Sequence, residues 1–190
     1  MTHDVQPEGQ GGQGADPDLA RDVAASLRAI PDFPEPGVTF KDFTPLLLDV
    51  ELRDRVVGDV VRRHNGGSVD VVIGIEARGF ILGAIIADEL GAGFVPVRKQ
   101  GKLPGHTYSV TYTLEYGTAT VELHTDSIRE GQRVLVVDDV LATGGTAAAA
   151  VELVERCGGA VVAVEVVLEL GFLHGREKLA GTMVHALLTD

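Results

Sequence analysis

Cysteine is nearly absent from this 190-residue chain, in which Cys157 is the single example. One cysteine cannot form an internal disulfide, and no Cys/His cluster has the spacing of a structural zinc site. Both absences fit a reducing compartment, so we expect a cytoplasmic protein.

Long apolar runs are also lacking. No uninterrupted stretch approaches the roughly 20 residues that a membrane-spanning helix needs. The N-terminus has neither the basic segment nor the apolar segment of a secretion signal. The sequence therefore predicts a protein that is neither exported nor inserted into a membrane.

Positive charge is scarce, because 16 basic residues stand against 28 acidic ones and give a formal net charge of -12. Nucleic acid binding needs a broad positive surface to meet the phosphates, so this balance disfavours it. Any anionic ligand must then be held by a local arrangement of residues.

Residues 1–16 are poor in large apolar side chains and cannot bury enough surface to offset the entropy of ordering. We predict a disordered tail there and a single domain over 17–190. The tail matches the dinucleotide pattern GxGxxG at Gly9, Gly11 and Gly14. We interpret this match as false, because the pattern needs a strand before it and a helix after it.

The rest of the chain alternates apolar runs of strand type with helical segments. Strands are predicted at 69–75, 93–99, 133–139 and 160–170, and a hairpin over 110–123 that turns around Tyr116–Gly117. Helices are predicted from Asp16–Pro17 to near Ile30, from Leu46 to His64, over 77–90 and over 146–157. This alternation indicates an α/β fold with a parallel sheet covered on both faces.

The segment VLVVDDVLATGGTA (134–147) follows a buried strand with two carboxylates and a Gly-Gly turn. Ligands of such sheets bind beyond the carboxyl ends of the strands. The glycines allow successive N–H groups to face one concavity, and the next helix adds its positive N-terminus, so the segment can cradle a phosphate. The carboxylates of Asp138 and Asp139 can accept hydrogen bonds from a diol. Together these features predict a ribose 5-phosphate site.

The segment has two other possible interpretations, a structural cap and the phosphate loop of a nucleoside triphosphatase. The Asp pair and Gly turn could serve only as a cap, although a cap or a turn needs just one or two of these residues. The chain contains no GxxxxGK[ST] loop, so the usual apparatus of nucleoside triphosphate hydrolysis is missing.

The Asp-Asp-x-x-Ala-Thr-Gly-Gly-Thr string resembles the signature of the type I phosphoribosyltransferases, and its form is similar to that of the adenine phosphoribosyltransferases. Further stretches agree with that family: IPDFPEPGVTFKD (30–42), EARGF (76–80), VRKQGKLPG (97–105), LEYG (114–117) and GREKL (175–179). The resemblance implies a type I phosphoribosyltransferase fold, with a mostly parallel twisted sheet flanked by helices, a small hood and a lid hairpin.

The resemblance also implies where phosphoribosyl pyrophosphate (PRPP) binds. Its pyrophosphate is expected against EARGF, beside Arg78, with a cis peptide at Glu76–Ala77. A basic lid loop would close over it, although a run of charges is more often a solvated turn. The PRPP-binding residues implied are Arg78, Arg98, Lys99, Lys102, Asp138, Asp139, Ala142, Thr143, Gly144, Gly145 and Thr146.

For the acceptor base, the resemblance implies a hood with Phe40 and Lys41, and Leu170 on the opposite face. Thr39 stands where an apolar residue is common in the family. Glu115 of LEYG would be the catalytic residue that manages a proton on the base. By residue type alone, Phe40 would more often be a core aromatic and Glu115 a solvated side chain.

The implied reaction joins adenine and PRPP to give AMP and pyrophosphate, with Mg2+ carried by PRPP in a homodimeric enzyme. Transfer to another purine is the alternative within this class. A PRPP-sensing regulator would need a DNA-binding module, for which the short tail leaves no room. A nucleotide-binding structural domain is the remaining alternative.

Overall fold

The computed structural model describes residues 16–33, 35–113 and 117–190. In chain order, the helices of these ranges are Pro17–Ser26 (α1), Thr44–Leu48 (α2), Val50–Arg63 (α3), Arg78–Leu90 (α4) and Gly145–Arg156 (α5). The strands are Arg28–Pro31 (β1), Thr39–Asp42 (β2), Val71–Ile75 (β3), Gly93–Lys99 (β4), Thr107–Thr113 (β5), Thr118–His124 (β6), Arg133–Leu141 (β7), Ala160–Glu169 (β8) and Val184–Thr189 (β9). Short 3₁₀ helices lie at Gly171–Leu173 and Gly175–Leu179.

The main sheet has the strand order β5-β6-β4-β3-β7-β8-β9. The five strands from β4 to β9 in this order are parallel, whereas β6 runs antiparallel to both β4 and β5. All residues of β3 are buried, as expected for a strand covered on both faces. The α/β fold with a mostly parallel sheet is confirmed.

Side chains of β7 alternate between two core clusters, one on each face of the sheet. Val134 and Val136 pack with α5 and the β5-β6 hairpin. Leu135 and Val137 pack with residues of α1 to α4 on the other face. Because both faces are closed, polar groups that meet a ligand have to lie at the ends of the strands.

A separate two-stranded antiparallel sheet, β1 and β2, forms the hood. Arg28 and Asp42 form an ion pair across it, with Nη2 and Oδ2 separated by 2.6 Å. Asp42 Oδ1 also accepts a 2.9 Å hydrogen bond from the backbone N–H of Thr44, where α2 begins. The hood is thereby tied directly to the helical layer.

Two predicted helices have different bounds in the structure. The first ends at Ser26 rather than near Ile30, because the residues that follow pair with β2 to build the hood. The helix predicted from Leu46 to His64 is broken at Asp49, whose side chain accepts a 3.0 Å bond from the N–H of Leu52. An aspartate in this position caps a new helix.

The sheet also differs from the prediction in two places. The strand predicted to end at Asp139 continues to Leu141, so both aspartates lie within β7. Strand β9 was not predicted. The predicted hairpin is confirmed as β5 and β6, with the start of its turn outside the described residues.

The tail prediction falls on residues 1–15, outside the described ranges, apart from Asp16. The side chain of Asp16 caps α1, as predicted for the Asp16–Pro17 pair. Within the described ranges, every helix is too short or too polar to cross a membrane.

Helix α3 is joined to β8 by a buried ionic cluster. Glu165, only 2% exposed, accepts a 2.6 Å hydrogen bond from His64 Nε2 and contacts Arg63 Nη2 at 2.9 Å. Burial alone would raise the pKa of Glu165, but hydrogen bonds from His64 and Arg63 outweigh it and lower that pKa. Glu165 is therefore ionised in the folded protein at neutral pH.

We expect Glu165→Ala to lower the free energy of unfolding by about 3 kcal/mol, because it removes the partner of the buried His64 ring nitrogen and leaves Asp59 as the remaining carboxylate against Arg63. Since the folded-state pKa is below the unfolded value, the contribution is complete above the unfolded pKa and is lost as the pH falls through the folded pKa. Urea unfolding of parent and variant should show a constant difference above about pH 5 and a shrinking one in acid. A difference that does not depend on pH would contradict this assignment.

Candidate active site

Two helices begin where the central strands end. Helix α4 follows β3 across Glu76–Ala77, and α5 follows β7 across residues 142–144. The N-cap residues, Ala77 and Gly144, provide no side-chain hydrogen bond. The first N–H groups of a helix have no partner within it, and the helix dipole makes this end positive. The sheet edge therefore carries two adjacent helix ends that suit anions.

The Gly-Gly turn is shaped by close packing against GREKL. Gly144 has φ +77°, and a Cβ there would collide with the carbonyl of Gly175. A Cβ on Gly175 would in turn collide with the carbonyl of Ala142, and one on Gly145 would lie 2.8 Å from Tyr112 Cδ2. Glycine is thus required on both sides of this contact, which fixes the course of the loop before α5.

The paired aspartates occupy different environments. Asp139 is 5% exposed and accepts a hydrogen bond from Arg78 Nε, while Asp138 Oδ1 accepts a 2.9 Å bond from the N–H of Asp139. Burial, followed by the neighbouring charge of Asp139, raises the pKa of Asp138 well above its ordinary value. Asp138 can therefore donate as well as accept a hydrogen bond over an extended pH range.

These groups line a cleft of about 590 Å³ between the hood and the sheet edge. Of the residues proposed from the sequence, the cleft is lined by Phe40, Lys41, Arg78, Lys99, Asp138, Asp139, Ala142, Thr146 and Leu170. Thr143 and Gly144 complete the adjoining turn, and Gly145 begins α5. The volume is in the range typical of small-molecule sites.

Arg78 joins the hood to the sheet edge. Its guanidinium carbon lies 5.2 Å from the ring centroid of Phe40, while its Nε contacts Asp139. The Phe40 ring packs edge-on against Phe33 at 5.3 Å between centroids. The aromatic wall of the cleft and its carboxylate floor are therefore connected through one cation.

Glu76 organises the start of the basic loop. Its Oε2 accepts a 3.0 Å hydrogen bond from the backbone N–H of Lys99 and lies 3.3 Å from Arg98 Nε. The Lys99 N–H is the largest of the influences that lower the pKa of Glu76. The peptide bond Glu76–Ala77 is cis, as the resemblance implied.

Beyond Thr143, Gly144 and Gly145, two residues that were named from the sequence and are described by the structure do not line the cleft. Arg98 is engaged by Glu76, and Lys102 lies on the exposed loop after β4. Glu115 falls outside the described residues. The roles assigned to all three remain predictions.

Sequence reasoning missed Tyr112 as a residue of the site. This side chain on β5 lines the cleft, and its phenol oxygen accepts a 2.9 Å hydrogen bond from the hydroxyl of Thr146. The contact links the lid hairpin to the first turn of α5. The alternation in VTYT marked the strand, but only the packing of β5 on α5 reveals which side chain faces the cleft.

Comparisons with known proteins agree with this geometry. The family model described as phosphoribosyl transferase domain matches residues 54–183. The adenine phosphoribosyltransferase of Salinispora arenicola (strain CNS-205) is 54% identical over 188 residues, covering 99% of this chain and 98% of the relative. That of Acidothermus cellulolyticus (strain ATCC 43068 / DSM 8971 / 11B) is 55% identical over 171 residues, covering 90% and 97%.

Solved structures show the same similarity. Adenine phosphoribosyltransferase from Rhodothermus marinus DSM 4252 superposes with a TM-score of 0.87 at 48% identity, covering 92% of this chain and 100% of that one. The enzyme from Saccharomyces cerevisiae, complexed with an imino-altritol bisphosphate and adenine, gives a TM-score of 0.85 at 39% identity and covers 90% and 99%. The chain therefore belongs to the phosphoribosyl transferase family and, within it, to the adenine phosphoribosyltransferases.

Proposed function

We propose that this enzyme transfers the 5-phosphoribosyl group of PRPP to adenine, giving AMP and pyrophosphate, in purine salvage. The observation that carries the proposal is the convergence of two uncapped helix N-termini and the Asp138–Asp139 pair on one cleft with an apolar hood. The S. cerevisiae relative holds adenine together with a sugar-like bisphosphate, which supports this choice of substrates.

The 5-phosphate is proposed to bind in the turn from Ala142 to Thr146. The N–H groups at the start of α5 face outward without intrahelical partners and meet a negative charge. Asp138 and Asp139 lie four and three residues before Ala142 and hold the ribose hydroxyls. This spacing suits a ribose that carries its phosphate on the exocyclic carbon C5.

The pyrophosphate is proposed to lie over the N-terminus of α4, beside Arg78 and Lys99. As the glycosidic bond breaks, the anomeric carbon becomes oxocarbenium-like and charge accumulates on the departing oxygens. Cations and helix dipoles that are already in place stabilise that charge without reorganising. Arg98 and Lys102 are proposed to add positive charge from the adjoining basic loop.

The adenine ring is proposed to lie between Phe40 and Leu170, with Lys41 at the hood. An apolar slot of this kind orients N9 of the base toward the anomeric carbon, which lowers the barrier by positioning. Glu115 is proposed to manage a proton on the imidazole edge of the base as the bond to N9 forms.

Magnesium is proposed to arrive with PRPP. Mg2+ is commonly held by one or two carboxylates together with substrate phosphates and water. In the proposed arrangement the substrate phosphates carry the ion, and Asp138 and Asp139 of the cleft hold the ribose hydroxyls rather than serving as direct metal ligands. When bound, the ion would neutralise charge on the leaving pyrophosphate.

We also propose a cytoplasmic location, as the single cysteine suggests.

The proposal is tested by offering adenine, hypoxanthine, guanine and orotate in parallel, each with PRPP and Mg2+, and measuring consumption of base and release of pyrophosphate. We expect adenine to have the highest kcat/KM. Preference for another purine would support the alternative within the class, and PRPP binding without turnover of any base would support a sensor.

We expect Asp138→Asn and Asp139→Asn each to lower adenine turnover at least about tenfold, equivalent to 1.4 kcal/mol of barrier. Each variant removes a carboxylate proposed to position the ribose, whereas packing within β7 is preserved. Steady-state kinetics should be accompanied by circular dichroism and thermal unfolding, which should change little. Parental turnover in both variants would remove the pair from ribose binding.

Glu115→Gln should lower kcat by about 10²- to 10⁴-fold, the usual contribution of general acid-base catalysis. Glutamine preserves shape but cannot exchange the proton. PRPP affinity, measured by calorimetry, should stay near the parental value because the phosphate-binding groups are unchanged. Retention of more than about half of the parental kcat would contradict the catalytic role, given the 10²-fold minimum.

We propose that the enzyme is a homodimer, since the resemblance implies it and two-fold pairing is the commonest symmetry of soluble oligomers. Light scattering at the assay concentration should give twice the mass of one chain. Full activity at the mass of a single chain would overturn the proposal.

A further inference from the structure

Glu122 is a buried carboxylate outside the residues that line the cleft. It lies within β6, where it pairs in register with Arg98 of β4 and Ser109 of β5. Its exposed fraction is 5%. A glutamate is rarely buried to this extent unless its charge is matched, so its partners show what holds it there.

Those partners are backbone groups of the basic loop. Glu122 Oε1 accepts a 2.9 Å hydrogen bond from the N–H of Lys102 and a 2.8 Å bond from the N–H of Leu103. Within the described ranges, no lysine or arginine side chain forms an ion pair with this carboxylate. Burial would raise the pKa of Glu122, but these N–H groups and the nearby His124 outweigh it and lower that pKa.

The same loop is held at further points. Pro104 O accepts a 2.7 Å hydrogen bond from His124 Nε2, and Lys102 O lies 3.4 Å from Arg98 Nη1. Gln100 N–H donates to Thr120 O at 3.0 Å. The backbone of residues 100–104 is therefore fastened to β4 and β6, whereas the side chain of Lys102 remains exposed.

We propose that Glu122 is a positioning residue that fixes the backbone of this loop so that the Lys102 ammonium is presented to the pyrophosphate of PRPP. The inference rests on the proposed function. The carboxylate faces the loop's N–H groups, so it acts through Lys102 and has no contact with substrate of its own.

The physical gain is preorganisation. A loop that samples many conformations binds its ligand with an affinity reduced by the fraction of molecules in the competent one. Two hydrogen bonds to an ionised acceptor are strong enough to keep that fraction high. His124 supports the arrangement from the far side of the loop through Pro104.

The variants Glu122→Ala and Glu122→Gln separate positioning from a general contribution to stability. Alanine leaves both N–H groups without an acceptor, whereas the glutamine amide oxygen can still accept from them as a neutral group. We expect Glu122→Ala to raise KM for PRPP at least about tenfold, which matches a tenfold fall in the competent fraction. Glutamine should recover much of that loss, and KM for adenine should stay within about twofold of the parental value in both variants, because the loop does not touch the base site.

Hydrogen–deuterium exchange gives a readout that does not depend on turnover. The amides of Lys102 and Leu103 should exchange at least about tenfold faster in Glu122→Ala, while amides of β3 and β7 keep their protection. Asp70→Ala is the matched control, since Asp70 Oδ2 also accepts a backbone N–H, from Arg133 at 2.8 Å, at the opposite end of the sheet. This control should leave KM for PRPP unchanged.

Fast loop exchange with an unchanged KM for PRPP would overturn the positioning role and leave Glu122 a structural residue. An equal rise of the KM values for PRPP and adenine, or an equal rise of KM for PRPP in Asp70→Ala, would also overturn it. If the parent enzyme does not use PRPP at all, the proposed function is wrong. This outcome is distinct from the others, because it is seen with the parent enzyme before any variant is compared.

Discussion

The need to bury a parallel sheet on both faces governs the rest of this molecule. Strand β3 is apolar along its whole length and β7 is apolar from Val134 to Val137, because α5 and the hairpin cover one face while α1 to α4 cover the other. Polar groups that meet a ligand then lie at the carboxyl ends of the strands. Since parallel neighbours end at the same edge, the N-termini of α4 and α5 and the two aspartates of β7 converge there. The site is a direct consequence of strand direction.

Glycine makes this convergence close enough to be useful. Gly79 at the start of α4 lies against the carbonyl of Val137 and the carboxylate of Asp138, at 2.6 Å and 3.1 Å from where its Cβ would be. Gly144 and Gly175 allow a second close approach, between the turn and the GREKL segment. Any side chain at these three positions would push a helix end or a turn away from the carboxylates. The two helix ends and the carboxylates are thus close enough for one small molecule to contact both.

Local sequence signals predicted much of this fold because they act over short distances. The apolar run of β3, the capping pair Asp16–Pro17 and the Gly-Gly turn before α5 each specify their own element. The boundaries that were wrong depend on tertiary pairing. Arg28–Pro31 has the composition of a helix end but forms a strand because β2 lies beside it, and β9 gains its partner only from β8. The roles of Tyr112 and Glu122 were not predicted for the same reason, because their hydrogen-bond partners Thr146 and Lys102 are 34 and 20 residues away in the sequence.

In the lid region, carboxylates hold the backbone of the basic loop while its lysine side chains stay exposed. The basic loop supplies cations to an acidic protein, yet exposed cations on a free loop would be poorly placed and largely screened. Glu76 and Glu122 accept hydrogen bonds from backbone N–H groups of this segment, at Lys99 and at Lys102 with Leu103. Because these carboxylates bind the backbone, the ammonium groups stay available for an anionic ligand. The buried charge of Glu122 is matched only while the loop holds its N–H groups against the carboxylate. The conformation of the loop is therefore coupled to strand β6 at the edge of the sheet.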